Sequence, residues 1–133
     1  MYTNPWLFNN EVYDGYDIKK YYGFVYCIYD LKENKKYIGR KYFWSLKKMK
    51  GKTRKSRSES DWKEYYSSND YIKRESKLDP LRFKREILHL CESKGKTNFL
   101  EVNEQFIRKV LLTDEYYNDQ INGKWYKVNV IRY

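Results

Sequence analysis

Residues 23–40 read GFVYCIYDLKENKKYIGR. Residues 23–29 are aromatic and β-branched, LKENKK is polar, and KYIGR resumes the aromatic-apolar pattern, which predicts a β-hairpin whose loop is longer than two residues. The hairpin carries one tyrosine on each arm, Tyr26 and Tyr37, and the second arm runs through Ile38 and Gly39 to Arg40.

Outward from the hairpin, the first twenty residues mix aromatics with Asn4, Pro5, Asn9, Asn10 and Gly15, and suggest an irregular N-terminal arm with no regular element. On the other side, YFWSLKKM reads as a short helix, and MKGKTRKSRSES, with no apolar period, as an exposed basic loop. In DWKEYYSSND, Ser68 or Asn69 can cap a helix through DYIKRESKL that ends before Pro80. FKREILHLC alternates as a third strand, with Phe83, Arg85, Ile87 and His89 on one face and Lys84, Glu86, Leu88 and Leu90 on the other. After a KGKTN turn, NFLEVNEQFIRKVLLTD places apolar residues at 99, 100, 106, 107, 110 and 111, a helical stripe. The tail, residues 122–133, alternates through KWYKVNVIRY like a further strand. The order strand, strand, helix, strand, helix predicts an α+β fold: a small mixed β-sheet flanked by helices, in one domain spanning 1–133.

Composition sets the chemistry. Aromatic residues make up 20% of the chain and 16 of them are tyrosine, so the core must be built from rings whose hydroxyls need partners. Cys27, Cys91 and the single histidine, His89, are too few for a zinc site of Cys/His type, and both thiols read as buried and free. No long uncharged apolar run and no secretion-type N-terminus are present, so the expected setting is soluble and cytoplasmic, without a membrane partner. Charge is local: the segment from Arg40 to Arg57 holds nine cations and no acid, nearly all of the formal +10. Such a patch attracts a polyanion by displacing its counterions, and nucleic acid is the commonest one.

With FVYCI, ten intervening residues between the tyrosines, and YIG in place, the hairpin resembles the signature strands of the GIY-YIG endonuclease family. NPWLF, YIGRKYFW, ESDWKEYYSSN, FKREIL, LEVNEQF and EYYN extend the likeness over roughly residues 4 to 121, toward the stand-alone, Seg-like homing-type enzymes of large tailed phages. The resemblance implies a metal-dependent endonuclease acting on double-stranded DNA, in the bacterial host cytoplasm, with Mg²⁺ or Mn²⁺ as cofactor. It makes Tyr26 the general base or the group that orients the water, and Tyr37 a hydrogen-bond partner of phosphate or water. Gly39 would allow close backbone approach, and Asn118 would hydrogen-bond near the site unless it merely forms a turn. The metal ligand falls between two glutamates: the motif favours Glu101, whereas the helical wheel leans to Glu104, and Glu101 is chosen because a ligand must meet water at a rim. One departure stands out. Where the family carries a helical arginine this chain has Lys47 and Lys48, so the phosphate clamp falls to Arg40 and Lys41, with Arg54 and Arg57 as alternatives. DNA contacts are expected from Lys47, Lys48, Arg54, Lys55 and Arg57, and from Trp62, Tyr65, Tyr66, Ser67, Ser68 and Asn69, unless the latter group packs the core. The rival reading is a non-catalytic basic DNA-binding module that kept the fold.

Overall fold

The computed structural model describes residues 4–48, 51 and 55–130, with backbone alone at 47, 48, 55 and 129. Two short strands, β1 (Leu7–Phe8) and β2 (Glu11–Val12), precede the long hairpin of β3 (Gly23–Asp30) and β4 (Lys35–Tyr42). A second hairpin follows, β5 (Trp44–Lys48) with β6 (Lys55–Glu59), then helix α1 (Asp70–Leu78), strand β7 (Phe83–Cys91) and helix α2 (Lys94–Ile107). The chain closes with β8 (Gln120–Ile121), β9 (Trp125–Tyr126) and the single turn α3 (Lys127–Val130). The main sheet runs β2-β1-β7-β3-β4; β3 is antiparallel to both neighbours and β1 is parallel to β7. The fold is therefore α+β around one mixed sheet, and the tyrosine hairpin supplies one edge strand and the strand beside it, next to the central β7.

The long hairpin forms as its sequence predicts. Asp30 Oδ1 accepts from the amides of Lys32 and Glu33 at 3.0 and 3.2 Å, which tightens the loop. Asn69 caps α1, its side chain accepting from Ile72 N at 3.0 Å.

Several expectations change. The arm contributes β1 and β2, because the Trp6 indole is buried and donates to Trp62 O at 2.7 Å, which lays the following residues along β7. Residues 44–48 form a strand in place of a helix, and the basic loop supplies its partner. Trp44 is tied to Tyr21 O through its indole at 2.9 Å, and Arg57 stacks on its ring at 3.6 Å, so cross-strand pairing overrides a weak helical propensity. In β7 the register against β3 slips between Val25 and Tyr26, leaving Leu88 unpaired. The bulge moves His89 off the Phe83, Arg85 and Ile87 face, and its imidazole meets Glu104 at 2.9 Å. The tail forms a short hairpin and a helical turn where a strand was expected, and residues 131–133 lie outside the described set.

Helix α2 begins at the Ser93 cap, so KGKTN lies within it. The stripe expected to pack is only partly inward: Leu100 packs against the sheet, but Phe99, Phe106 and Ile107 are exposed, while Thr97 and Gln105 are buried. Val110 and Leu111 from the stripe do reach the core, beyond the helix end.

Two cores lie on opposite sides of the sheet. One is aromatic, with Trp6, Phe24, Tyr26, Phe43 and Trp62. The other, beneath α2, holds Val25, Cys27, Ile38, Cys91, Val110 and Leu111. Both thiols are free and buried as expected, and burial pushes Cys27 up to about 11.

Candidate active site

Tyr26 and Gly39 are directly paired across β3 and β4. In a pleated sheet paired residues share a face, so the Tyr26 ring lies over Gly39 between Tyr37 and Lys41. A Cβ built on Gly39 would stand 2.5 Å from the Tyr26 hydroxyl and 3.1 Å from Tyr37 Cε2. Glycine is required here by space alone. The two rings sit 6.4 Å apart, and Tyr65 meets Tyr26 edge-on at 6.0 Å and shares a hydrogen bond with it. Tyr37 and Ser68 hydroxyls are 3.1 Å apart.

Alternation in β4 sends Ile38 and Arg40 to the other face, toward α2. Arg40 Nε donates to Asn98 Oδ1 at 2.6 Å and lies 3.8 Å from Glu101 Oε1. Because β4 is the last strand of the sheet, side chains from both faces meet beyond its free edge. There a polar pocket of about 480 Å³ is lined by Tyr37, Arg40, Ser68, Glu101, Gln105 and Asn118, among others. Tyr26 stands behind Tyr37 at 1% exposure.

Glu101 and Glu104 have different fates. Both oxygens of Glu104 are engaged, Oε1 with His89 Nε2 and Oε2 with Arg108 Nε, each at 2.9 Å, and these partners hold its carboxyl below the usual range despite partial burial. Glu101 lines the pocket with its side chain 18% exposed, and burial raises its pKa against the pull of Arg40. An oxygen donor held at a rim, with room for water and phosphate, suits a hard divalent cation. Among the described residues no group of three or more His, Cys, Asp or Glu gathers to hold a metal; Asp70 and Asp119 line the pocket together with Glu101.

The tyrosines lie in a field unlike that of a thiolate-style nucleophile or an acidic phenol. Burial, then the neighbouring tyrosines and Glu101, raise the Tyr26 pKa well above its ordinary value, and Tyr37 is raised chiefly by burial. Both remain protonated near neutrality, able to donate hydrogen bonds.

Asn118 is not a turn residue. Its Oδ1 accepts from Ile38 N at 3.0 Å and its Nδ2 donates to Ile38 O at 2.8 Å, so a side-chain amide completes the edge of β4 as a neighbouring strand's peptide would. Lys41 faces away from the pocket: its ammonium pairs with Asp61 at 2.6 Å and sits 4.2 Å from the Tyr65 ring centroid.

Of the residues expected to touch DNA, Trp62 is fully buried in the aromatic core and Ser67 is buried at φ 125°, its hydroxyl accepting from Asn69 N. Neither can reach a groove in this fold. Asn69 spends its side chain as the α1 cap, while Ser68 stays exposed at the pocket mouth. Arg57 is exposed on β6; Arg54 and the side chains of Lys47, Lys48 and Lys55 fall outside the described set.

Two contributors escape a reading of motifs. Arg85, buried on β7, donates to the carbonyls of Lys63, Tyr65 and Asn4, which fixes the segment presenting Tyr65. Its signal was an arginine at an inward strand position. Gln105, four residues beyond Glu101, reaches Ile38 O at 3.1 Å, and its signal was that helical spacing.

No curated protein and no solved structure matches the chain. The family described as "Putative endonuclease segE, GIY-YIG domain" matches residues 6–121, from the buried Trp6 to the end of β8. That span contains the paired tyrosine strands, Gly39 beneath a phenol, and Glu101 facing them across the edge, and the chain belongs to the Seg-like phage branch of the GIY-YIG endonucleases, a family of DNA-cleaving hydrolases.

Proposed function

We propose that the protein is a divalent-metal-dependent endonuclease of homing type that hydrolyses phosphodiester bonds in double-stranded DNA, with Mg²⁺ as the working ion and Mn²⁺ as its substitute. The observation that carries this reading is the meeting of Tyr37, Arg40, Glu101 and Asn118 around one polar pocket, with Tyr26 and Gly39 directly behind.

Glu101 is the residue that holds the ion; when bound, the ion supplies acidity to a water and a positive charge beside the phosphoryl oxygen. Tyr26, kept protonated by burial, orients the attacking water, the second of the two roles open to it, through the hydroxyls in front of it: its own bonds Tyr65, which bonds Ser68 beside Tyr37. Tyr37, with its hydroxyl at the pocket mouth, donates to a phosphate oxygen. Arg40 carries the remaining cationic duty: its half-exposed guanidinium stands between Glu101 and solvent and can turn to the phosphate. Asn118 holds the edge strand, with Gln105 as a second donor to Ile38 O, so that Tyr37 and Arg40 keep their spacing. The exposed, cationic ribbon of β5 and β6, with Arg57, makes backbone contacts to the duplex.

A second reading has an observation of its own. About ten residues beyond Tyr37, where the resemblance leads one to expect a helical arginine, the chain has Lys47 and Lys48 on a strand, which favours a basic DNA-binding module without hydrolysis. Nicking of supercoiled plasmid separates the two. Cleavage with Mg²⁺, at least a hundredfold weaker after Glu101→Gln or Tyr26→Phe while gel-shift binding persists, supports the enzyme; binding with no cleavage in any divalent ion establishes the module.

A further inference from the structure

Gln105 is 4% exposed, one helical turn beyond Glu101 on the same face of α2, and both line the pocket. Buried amides are ordinarily satisfied at both ends. Here Nε2 donates to Ile38 O at 3.1 Å, whereas Oε1 has no partner among the described residues. The orientation is forced: a carbonyl can only accept, so the nitrogen must face Ile38 and the oxygen must turn away. Nor does the strand require this amide, since Asn118 already serves both the N–H and the C=O of Ile38. An apolar side chain would fill the position without leaving an acceptor stranded. What the position retains is a buried neutral oxygen on a residue that lines the polar pocket one helical turn from Glu101, and that also borders the apolar pocket formed with Val110, Leu111 and Ile121.

We propose that Gln105 Oε1 accepts a hydrogen bond from a water in the shell of the divalent cation held by Glu101, so that Gln105 is a positioning residue for the metal. The inference rests on the reading of Glu101 as the metal ligand. A hard cation with one carboxylate keeps several waters, and each is a polarised donor in need of an acceptor. A neutral amide meets that need without adding negative charge next to Glu101, whose pKa burial already raises. The same side chain grips the carbonyl between Tyr37 and Gly39, so it ties the position of the metal's water to the tyrosine pair.

The test is Mn²⁺ binding, followed by the loss of the free-ion electron paramagnetic signal, for the full chain with a phosphorothioate duplex that resists cleavage. Mg²⁺ titration of nicking and thermal melting accompany it. Gln105→Met keeps length and removes the amide; Gln105→Asn keeps the amide and shortens its reach, and reads the same effect if the methionine variant does not fold. The half-saturating metal concentration should rise about tenfold or more in either, with nicking recovering as Mg²⁺ is raised. If Gln105→Met and Gln105→Asn leave half-saturation unchanged while Glu101→Gln abolishes binding, the inference is overturned and the Glu101 reading stands. If Glu101→Gln leaves Mn²⁺ binding intact, that reading fails and takes this inference with it.

Discussion

The two sides of the sheet are built on opposite terms. On one side Trp6, Phe24, Tyr26, Phe43 and Trp62 pack edge-on or tilted, with ring centroids about 5 to 6 Å apart. On the other, a thin aliphatic layer lies beneath a helix whose inward face carries Thr97, Glu101 and Gln105. The aromatic side holds shape, and the helical side holds polar groups. β4 serves both, giving Tyr37, Gly39 and Lys41 to the rings and Ile38 and Arg40 to the helix. The lesson is that a site needing rigid phenols and a hydrated carboxylate finds both at the edge where the sides meet.

The contrast can be broken most severely from the aromatic side. Arg85→Met leaves three part-buried carbonyl contacts without their donor and should cost about 3 kcal/mol, read as a lower urea midpoint with unchanged slope. Cleavage should fall with it, since Tyr65 loses its anchor. A smaller total effect, concentrated in function, is expected of Gly39→Ala. The added methyl displaces the Tyr26 phenol, so nicking should drop about a hundredfold while stability falls by about 1 to 3 kcal/mol. A variant that cleaves normally would separate the phenol from the chemistry.

Acid sharpens the comparison by acting away from the site. Arg82 and Tyr117 hold Asp30 down to about 2 from 3.8, outweighing the opposing effect of burial. A depressed carboxylate stabilises the fold above its unfolded pKa, and that contribution is lost as pH falls from 3.8 through 2. The loss should amount to about 2 kcal/mol. Urea melts across that window should show it, and Asp30→Asn should be weaker at neutral pH and flatter in acid. The smallest effect belongs to Glu104→Gln. This residue lies on the helical side but off the pocket, so nicking should stay within about threefold of the parent while Glu101→Gln abolishes it; the glutamine keeps a hydrogen-bonding oxygen for its part-buried partners, so the stability cost should be about 1 kcal/mol.

Much of this was legible in the chain. The hairpin with a loop longer than two residues, the Asn69 cap, the third strand and the buried thiols all follow from local pattern. The second hairpin was not, because LKK favours helix weakly and only the stacking of Arg57 on Trp44 from a distant segment decides for strand. The inward face of α2 was misjudged for a related reason. A wheel assumes that apolar residues turn inward, and here Phe99, Phe106 and Ile107 face solvent so that Glu101 and Gln105 can face the pocket. Trp62 went the same way, its ring spent on the core.

The sequence alone determined which chemistry was on hand: two phenols on paired strands, a glycine after the second, a helical glutamate and a local surplus of cations. Those are properties of neighbouring residues and their spacing. Which glutamate is free, which cation faces the pocket and which amides hold the edge strand were decided only in three dimensions. The physical reason is that hydrogen-bond partners are a finite resource. Glu104 is consumed by His89 and Arg108, Lys41 by Asp61 and Asn118 by Ile38, and each of these partners except Arg108 lies more than ten residues away in the chain.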